Sequence, residues 1–210
     1  NNFTSNTPIL SFKAIDLSSS DTYTDISGNA ISLSSAGSGM FLDGLNYSTN
    51  PGTAHVYNNM IRSASTGLGL GIWNGEHVFA SYNNIYASGS GPAIELAGGD
   101  SLYVQNNVLT SNTGRAFSSF SVTPYVVSDY NDLYSISGDL GFWNNILYPT
   151  FGEWQAGTTF DGHSINVDPE FVSGTDLHVL ADTLDGAGIP IAGISEDFDG
   201  NPRNALMPDI

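Results

Sequence analysis

Cysteine is absent from this chain of 210 residues, and lysine and arginine together number only four. Without cysteine the chain can form neither disulfides nor thiolate metal sites, although export from the cell is not excluded. Against 21 acidic residues, the four basic ones leave a formal net charge of -17. No basic cluster can neutralise phosphates, so we expect neither nucleic acid nor anionic membrane as a partner. A polyanionic sugar is equally disfavoured unless divalent cations bridge it to the protein.

Long apolar runs and helical patterns are also scarce. No segment approaches the length of a membrane span, so we expect no membrane insertion. A single short helix is predicted at residues 150–156, where Thr150 and Glu153 form the capping-box pattern that starts a helix. Trp154 on this helix is expected to pack over the end of the last regular coil.

The chain does contain a repeat. The sequence Y-N-N-M-I at residues 57–61 returns as Y-N-N-I-Y at 82–86, as Q-N-N-V-L at 105–109 and as Y-N-D-L-Y at 130–134. Apolar and polar residues alternate between these anchors, which is the pattern of strands with one buried face. A period near two dozen residues with such strands predicts a solenoid of roughly seven or eight coils.

Stacked coils bring equivalent residues directly above one another. This alignment predicts an interior aliphatic ladder, made of Met60, Ile85, Val108 and Leu133. It also predicts a ladder of asparagines at the bends, where amides bond to the amides above and below. The predicted asparagine ladder contains Asn58, Asn83, Asn106 and Asn131.

The repeats and the segment after them resemble a known family. The N-N-apolar turns and glycine-led strands of residues 54–134 resemble the right-handed parallel β-helix repeats of the pectin-lyase-like superfold. Residues 126–210 resemble the closing segment of secreted bacterial β-helix proteins, including some alginate and pectate lyases. The matching motifs are D-x-H-S-I at 161–165, D-P-x-F at 168–171, D-x-H at 176–178 and D-x-D-G-x-x-R at 197–203. The resemblance implies an all-β, right-handed parallel β-helix with coils of about 23–25 residues and one short helix near the C-terminal end.

We expect one domain over residues 1–210. It divides into irregular coils at 1–53, regular repeats at 54–134 and a closing segment at 135–210, with early strands at residues 9–12, 30–33 and 39–42. The chain opens in the middle of a repeat. It is therefore expected to be cut from a longer protein with flanking domains.

Residues suited to catalysis are few. A lyase of this superfold needs a lysine or arginine base and a cation, and the candidates are Arg115, Glu95 and Arg62. A surface ion pair between Arg115 and Glu95 is the simpler interpretation. A hydrolase would need paired carboxylates on one strand face, and the regular coils stack none. Arg203 is expected to pair with Asp197 or Asp199.

Metal and sugar sites have equally modest signals. Asp197, Asp199 and Asn201 resemble part of a calcium loop, although a turn closed by aspartate caps explains them too. Calcium is therefore the one cofactor considered, with no cofactor as the alternative. His163 and His178 are expected to be hydrogen-bonded structural residues.

Aromatic residues are the candidates for carbohydrate binding. Tyr57, Tyr82 and Tyr130 are predicted to form one outward column together with Gln105, and Trp73 and Tyr103 to lie on other outer strands. Aromatic faces suit sugar rings, although stacking alone also explains the column. We expect an extracellular β-helix domain of a bacterial surface or secreted protein, structural or binding a polysaccharide or cell-surface glycan. The alternatives are a polysaccharide lyase or glycoside hydrolase acting on alginate or pectate, and an adhesin or spacer that binds proteins.

Overall fold

The structure is a computed structural model, and it describes residues 1–5, 13–18, 23–34, 37–44, 53–121 and 125–210. In these residues the chain winds into a parallel β-solenoid of about five turns. The predicted all-β solenoid is therefore confirmed. The turns are fewer than the seven or eight expected, because residues 159–210 contribute no further coil.

Each turn adds one strand to each of three sheets, A, B and C. Sheet A contains β1 (Asn2–Ser5), β4 (Ala30–Leu33), β7 (Met60–Ser63), β10 (Asn84–Ala87), β13 (Val108–Ser111) and β16 (Asp132–Ser135). Sheet B contains β2 (Lys13–Ser18), β5 (Ser38–Asp43), β8 (Leu70–Trp73), β11 (Ile94–Ala97), β14 (Phe117–Ser119), β17 (Gly141–Trp143) and β18 (Ile146–Tyr148). Sheet C contains β3 (Thr24–Ser27), β6 (Ala54–Tyr57), β9 (Glu76–Ser81), β12 (Asp100–Gln105) and β15 (Val126–Asp129).

Neighbouring strands pair in parallel, apart from the antiparallel pair β17 and β18 at the end of sheet B. The early strands predicted at residues 30–33 and 39–42 correspond to β4 and β5. The strand predicted at residues 9–12 lies outside the described residues.

The interior ladder of sheet A is shifted by one residue from part of the prediction. Its members are the fully or almost fully buried Ile31, Ile61, Ile85, Leu109 and Leu133. Met60 and Val108 instead pair with Asn84 and Asp132 on the outer face. The prediction was right for Ile85 and Leu133 and wrong for Met60 and Val108, because a slip of one residue moves a side chain to the opposite face of a strand.

The asparagine ladder is also real but shifted in two coils. It consists of Asn29, Asn59, Asn83, Asn107 and Asn131, and each Nδ2 donates to the Oδ1 of the next residue at 2.9–3.1 Å. From Asn59 onward the members are 24 residues apart. The prediction was right for Asn83 and Asn131 and wrong for Asn58 and Asn106.

Asn58 and Asn106 occupy the left-handed bend that precedes the ladder. In successive coils this position has φ between 51° and 63° and is held by Gly28, Asn58, Tyr82, Asn106 and Tyr130. Asparagine and glycine tolerate that conformation better than other residues. In these two coils the first asparagine of the pair forms the bend, and the second, Asn59 or Asn107, belongs to the ladder.

The predicted helix and its capping role are confirmed. Helix α1 (Phe151–Thr158) begins after the N-cap Thr150, and Thr150 and Glu153 form the capping box. Trp154 is fully buried, with its ring centroid 5.1 Å from that of Phe117 in sheet B. The helix therefore covers the end of the hydrophobic interior, which would otherwise be open to water.

Residues 159–210, called the tail below, fold back over the outer face of sheet A. Apart from the 3-10 turn η1 (Asp182–Leu184), the tail has little regular structure. Its backbone carbonyls accept hydrogen bonds from Asn106, Tyr82 and Asn58 of successively earlier coils. Val108 is buried under it against Leu184 and Ile210, although it points away from the coil interior. Among the described residues, no helix is long and apolar enough to cross a membrane.

Candidate functional site

The outer face of sheet C carries a row of ring-bearing side chains, which we call the aromatic ladder. Its members, contributed by successive coils, are Tyr23, His55, Phe79, Tyr103 and Tyr125. The three central rings lie almost parallel, with centroids 5.0 Å apart for His55 and Phe79 and 4.4 Å apart for Phe79 and Tyr103. The rings at the two ends are tilted from this stack and are 64% and 51% exposed. Together they form an apolar strip along the solenoid axis.

A column of polar side chains runs beside the aromatic ladder, two residues after each central ring and four residues after each end ring. This polar column contains Ser27, Tyr57, Ser81, Gln105 and Asp129. All of them except Ser81 are at least partly exposed. The outer face of sheet C thus presents hydroxyl, amide and carboxylate groups next to a continuous apolar strip.

The predicted column of Tyr57, Tyr82 and Tyr130 does not form. Tyr57 belongs to the polar column and pairs with Ser81 rather than with Tyr82. Tyr82 lies at the left-handed bend, 4% exposed, with its hydroxyl donating to the Ile189 carbonyl oxygen at 2.8 Å. Tyr130 is at the last of the equivalent bends, and its ring stacks on His163 with centroids 4.8 Å apart. Of the three tyrosines, only Tyr57 joins the sheet C surface.

Among the central rings of the ladder, His55 and Phe79 were missed from the sequence, whereas Tyr103 was expected on an outer strand but not as part of a ladder. The signal that could have found them is their spacing, because His55, Phe79 and Tyr103 are 24 residues apart. That is also the spacing of the asparagine ladder. An alignment on the Asn-Asn motif gives spacings of 25, 23 and 25 residues, which hides the constant spacing of 24 residues.

Glu95 and Arg115, two of the three catalytic candidates, lie near enough for the arginine charge to act on the carboxyl. The expected ion pair between them is not among the ion pairs of the described residues. Trp73 donates from Nε1 to Oε1 of Glu95 at 3.1 Å, and its ring lies edge-on to Phe41. Glu95 is 8% exposed, and burial raises the pKa of its carboxyl, while the Trp73 hydrogen bond and the Arg115 charge oppose that rise. The Arg115 guanidinium lies 5.3 Å from the Phe142 ring centroid. This arrangement places a carboxyl of raised pKa against an indole and under the influence of the Arg115 charge.

Arg62, the third catalytic candidate, belongs to a different sheet. It lies on β7 of sheet A, and Nη1 donates to the Leu33 carbonyl oxygen at 2.6 Å. Arg62 therefore supplies a hydrogen-bond donor to a backbone carbonyl of the neighbouring coil. The three candidates therefore do not form one site.

The oxygen-rich turn at residues 197–201 has the geometry of an aspartate-capped turn. Oδ1 of Asp197 accepts from the backbone nitrogens of Asp199 and Asn201 at 2.9 and 2.8 Å. Oδ2 of Asp199 faces Nε2 of His178 at 2.9 Å. In the part of the chain that the structure describes, no three His, Asp or Glu side chains are grouped to hold a metal ion. Calcium at Asp197, Asp199 and Asn201 stays a prediction, and the capped turn accounts for these contacts without it.

The two histidines of the closing motifs have structural partners, as predicted. Nδ1 of His163 lies 2.7 Å from Oδ2 of Asp129. His178 contacts carboxylates on both ring nitrogens, Asp176 at Nδ1 and Asp199 at Nε2. The His163 contact joins the tail to the last coil, and the His178 contacts join two parts of the tail to each other.

Arg203 has different partners from those predicted. Its guanidinium donates from Nη2 to Oδ1 of Asn58 at 3.0 Å and lies 3.8 Å from the Tyr82 ring centroid. The predicted pairing is present with Asp197 only as a charge interaction, in which, against the effect of burial, Arg203 helps to lower the pKa of Asp197. No direct ion pair of Arg203 with Asp197 or Asp199 is found among the described residues. Arg203 therefore covers the ring of Tyr82 and leaves it no face for a sugar.

Known proteins give no independent identification. The resemblance stated from the motifs is supported as far as the parallel β-solenoid itself. Comparison of the chain with protein-family models, with curated proteins and with solved structures found no match.

Proposed function

We propose that this β-solenoid domain binds polysaccharide through the outer face of sheet C. The observation that supports the proposal is the aromatic ladder lying side by side with the polar column. Both run along the solenoid axis over the whole length of the sheet. A polysaccharide is an extended ligand, and an extended double strip is the surface that suits it.

The two strips match the two kinds of surface on a sugar chain. Pyranose rings have apolar C–H faces and hydroxyl edges, and aromatic side chains with neighbouring polar groups bind such ligands. The central rings of the ladder stack face to face, so His55, Phe79 and Tyr103 offer their apolar edges. The more exposed end rings, Tyr23 and Tyr125, offer additional apolar surface. The column offers donors and acceptors at Tyr57 and Gln105.

The surface is also rigid before any ligand arrives. Its central strands β6, β9 and β12 pair with a neighbour on each side, and the asparagine ladder fixes the bend that follows each of them. Little conformational entropy is therefore lost on binding. The domain acts as a stiff rod that presents a binding face, which is the structural part of its role. An extracellular bacterial location belongs to this proposal, because polysaccharide ligands are found there.

Alanine substitution in the ladder tests the function. Phe79→Ala and Tyr103→Ala each remove one central ring, and we expect each to weaken glycan binding about tenfold, or roughly 1.4 kcal/mol. Isothermal titration calorimetry on a glycan identified by array screening measures the change. Phe142→Ala is the matched control, since it removes a partly exposed ring from the outer face of sheet B. Binding unaffected by either ladder variant would refute the proposal.

A second candidate function rests on Glu95. A buried carboxyl with a raised pKa beside Arg115 has the properties of a general acid, as a polysaccharide lyase or glycoside hydrolase requires. Alginate and pectate are the substrates implied by the resemblance of the closing segment. Such an enzyme would release unsaturated or reducing ends, and Glu95→Gln would abolish the release. A domain that only binds polysaccharide would release neither unsaturated nor reducing ends.

A further inference from the structure

All four lysines and arginines of the chain lie away from the aromatic ladder. Lys13 is on β2 of sheet B, where it faces Asp16 and the Phe41 ring. Arg62 is on sheet A, Arg115 precedes β14 of sheet B, and Arg203 is in the tail. Since the whole sequence contains only these four, no lysine or arginine lies on sheet C.

Carboxylates, in contrast, surround the ladder. Asp25 is exposed and in register with His55 of the ladder. Glu76 and Asp100 pair with each other at the start of β9 and β12, the strands that carry Phe79 and Tyr103. Asp129 ends the polar column, where His163 of the tail contacts its carboxylate. The sheet C face therefore adds a local negative field to a chain whose net charge is already -17.

We propose that the ligand of the aromatic ladder is an uncharged polysaccharide, bound with its chain parallel to the solenoid axis, and that uronate polymers are rejected. This inference rests on the proposed function and names the class of its ligand. A uronate chain on the ladder would bring carboxylates against Asp25 and Asp100 with no lysine or arginine to compensate. Like charges placed together across an interface are strongly unfavourable and so set specificity.

The direction of the chain follows from the stacking. Adjacent strands are about 4.8 Å apart, so the five rings of the ladder extend over roughly 19 Å along the axis. A sugar chain lying parallel to the axis contacts all of them, whereas one lying across the strands contacts one or two. Affinity should therefore rise with oligosaccharide length and stop rising once the ladder is covered.

A matched pair of ligands tests the charge preference. Oligogalacturonate and its fully methyl-esterified form have the same sugar backbone and differ in charge, and neutral xylo- and cello-oligosaccharides of similar length complete the panel. With EDTA present to remove bridging cations, we expect at least one neutral ligand to bind. We expect oligogalacturonate to bind at least about tenfold more weakly than its methyl ester. Binding of the neutral ligand should not change with salt, because no charge pair is formed.

Variants of the surrounding carboxylates locate the effect. Asp25→Asn combined with Asp100→Asn should narrow the difference between the two galacturonides and leave the neutral affinity within about twofold. Asp182→Asn, an exposed change in the tail, is the control. Equal binding of both galacturonides overturns this inference and leaves the proposed function standing. No binding by any neutral or charged glycan overturns the proposed function, and this inference with it.

Discussion

At the scale of single residues, Asp161 ends the asparagine ladder. Its buried carboxylate accepts hydrogen bonds from Asn131 Nδ2 and from the hydroxyls of Ser128 and Ser164, and also from Trp154 Nε1 at 2.7 Å. Burial raises the pKa of Asp161, and these four hydrogen bonds oppose the rise. One side chain thus joins the last coil, the capping helix and the last amide of the ladder.

Asp161→Asn tests the importance of these four hydrogen bonds with almost no change in side-chain volume. The new amide group would put donor hydrogens against donors, so at least one buried polar group would lose its partner. We expect a loss of about 3 kcal/mol in the free energy of unfolding, measured by urea denaturation. Asp182→Asn, at an exposed site, should change it by less than about 0.5 kcal/mol. Equal midpoints for the two variants would show that Asp161 has no such role.

At the scale of elements, the tail is held to sheet A over a buried acid. Asp132 of β16 is fully buried, and its Oδ1 accepts from the backbone nitrogen of Val167 in the tail at 3.0 Å. Its Oδ2 finds no hydrogen-bond partner among the described residues. Burial raises the pKa of Asp132 to about 7, the Val167 hydrogen bond lowers it, and the nearby Asp168 charge raises it.

The docking of the tail should therefore depend on pH. Between the ordinary value of 3.8 and about 7, the folded protein keeps a proton that the unfolded chain has lost, so stability falls as pH rises through this window. The accumulated loss is about 4 kcal/mol and stays constant at higher pH. Asp132→Asn removes this dependence. We therefore expect the stability of the variant relative to the wild type to increase as pH rises from 4 to about 7. Urea midpoints of both proteins across this range measure the difference, and parallel curves would contradict the assignment.

At the scale of the whole molecule, local patterns were predictable from the sequence and distant contacts were not. The strands and the capped helix follow from alternation and from Thr150 and Glu153, which act within a few residues. The register of the asparagine ladder could not be read from the Asn-Asn motif alone. At 58–59 the two asparagines occupy the bend and the ladder, whereas at 83–84 they occupy the ladder and the first strand position. The fate of Tyr82 depends on a hydrogen bond to a residue 107 positions away, which no periodicity contains.

Local contacts between coils also predict how the solenoid unfolds. Apart from the tail that crosses sheet A, each coil pairs only with its neighbours. Stability of the stacked strands should therefore add up along the axis, and damage at one end should stay near that end. Trp154→Ala opens a cavity under the capping helix and should cost about 3–5 kcal/mol. Amide hydrogen exchange should show lost protection in β16 and β17 and retained protection in β7 and β10. Phe120→Ala, at a ring 54% exposed, controls for loss of an aromatic side chain. Uniform loss of protection in all coils would mean that the molecule unfolds as a single cooperative unit instead.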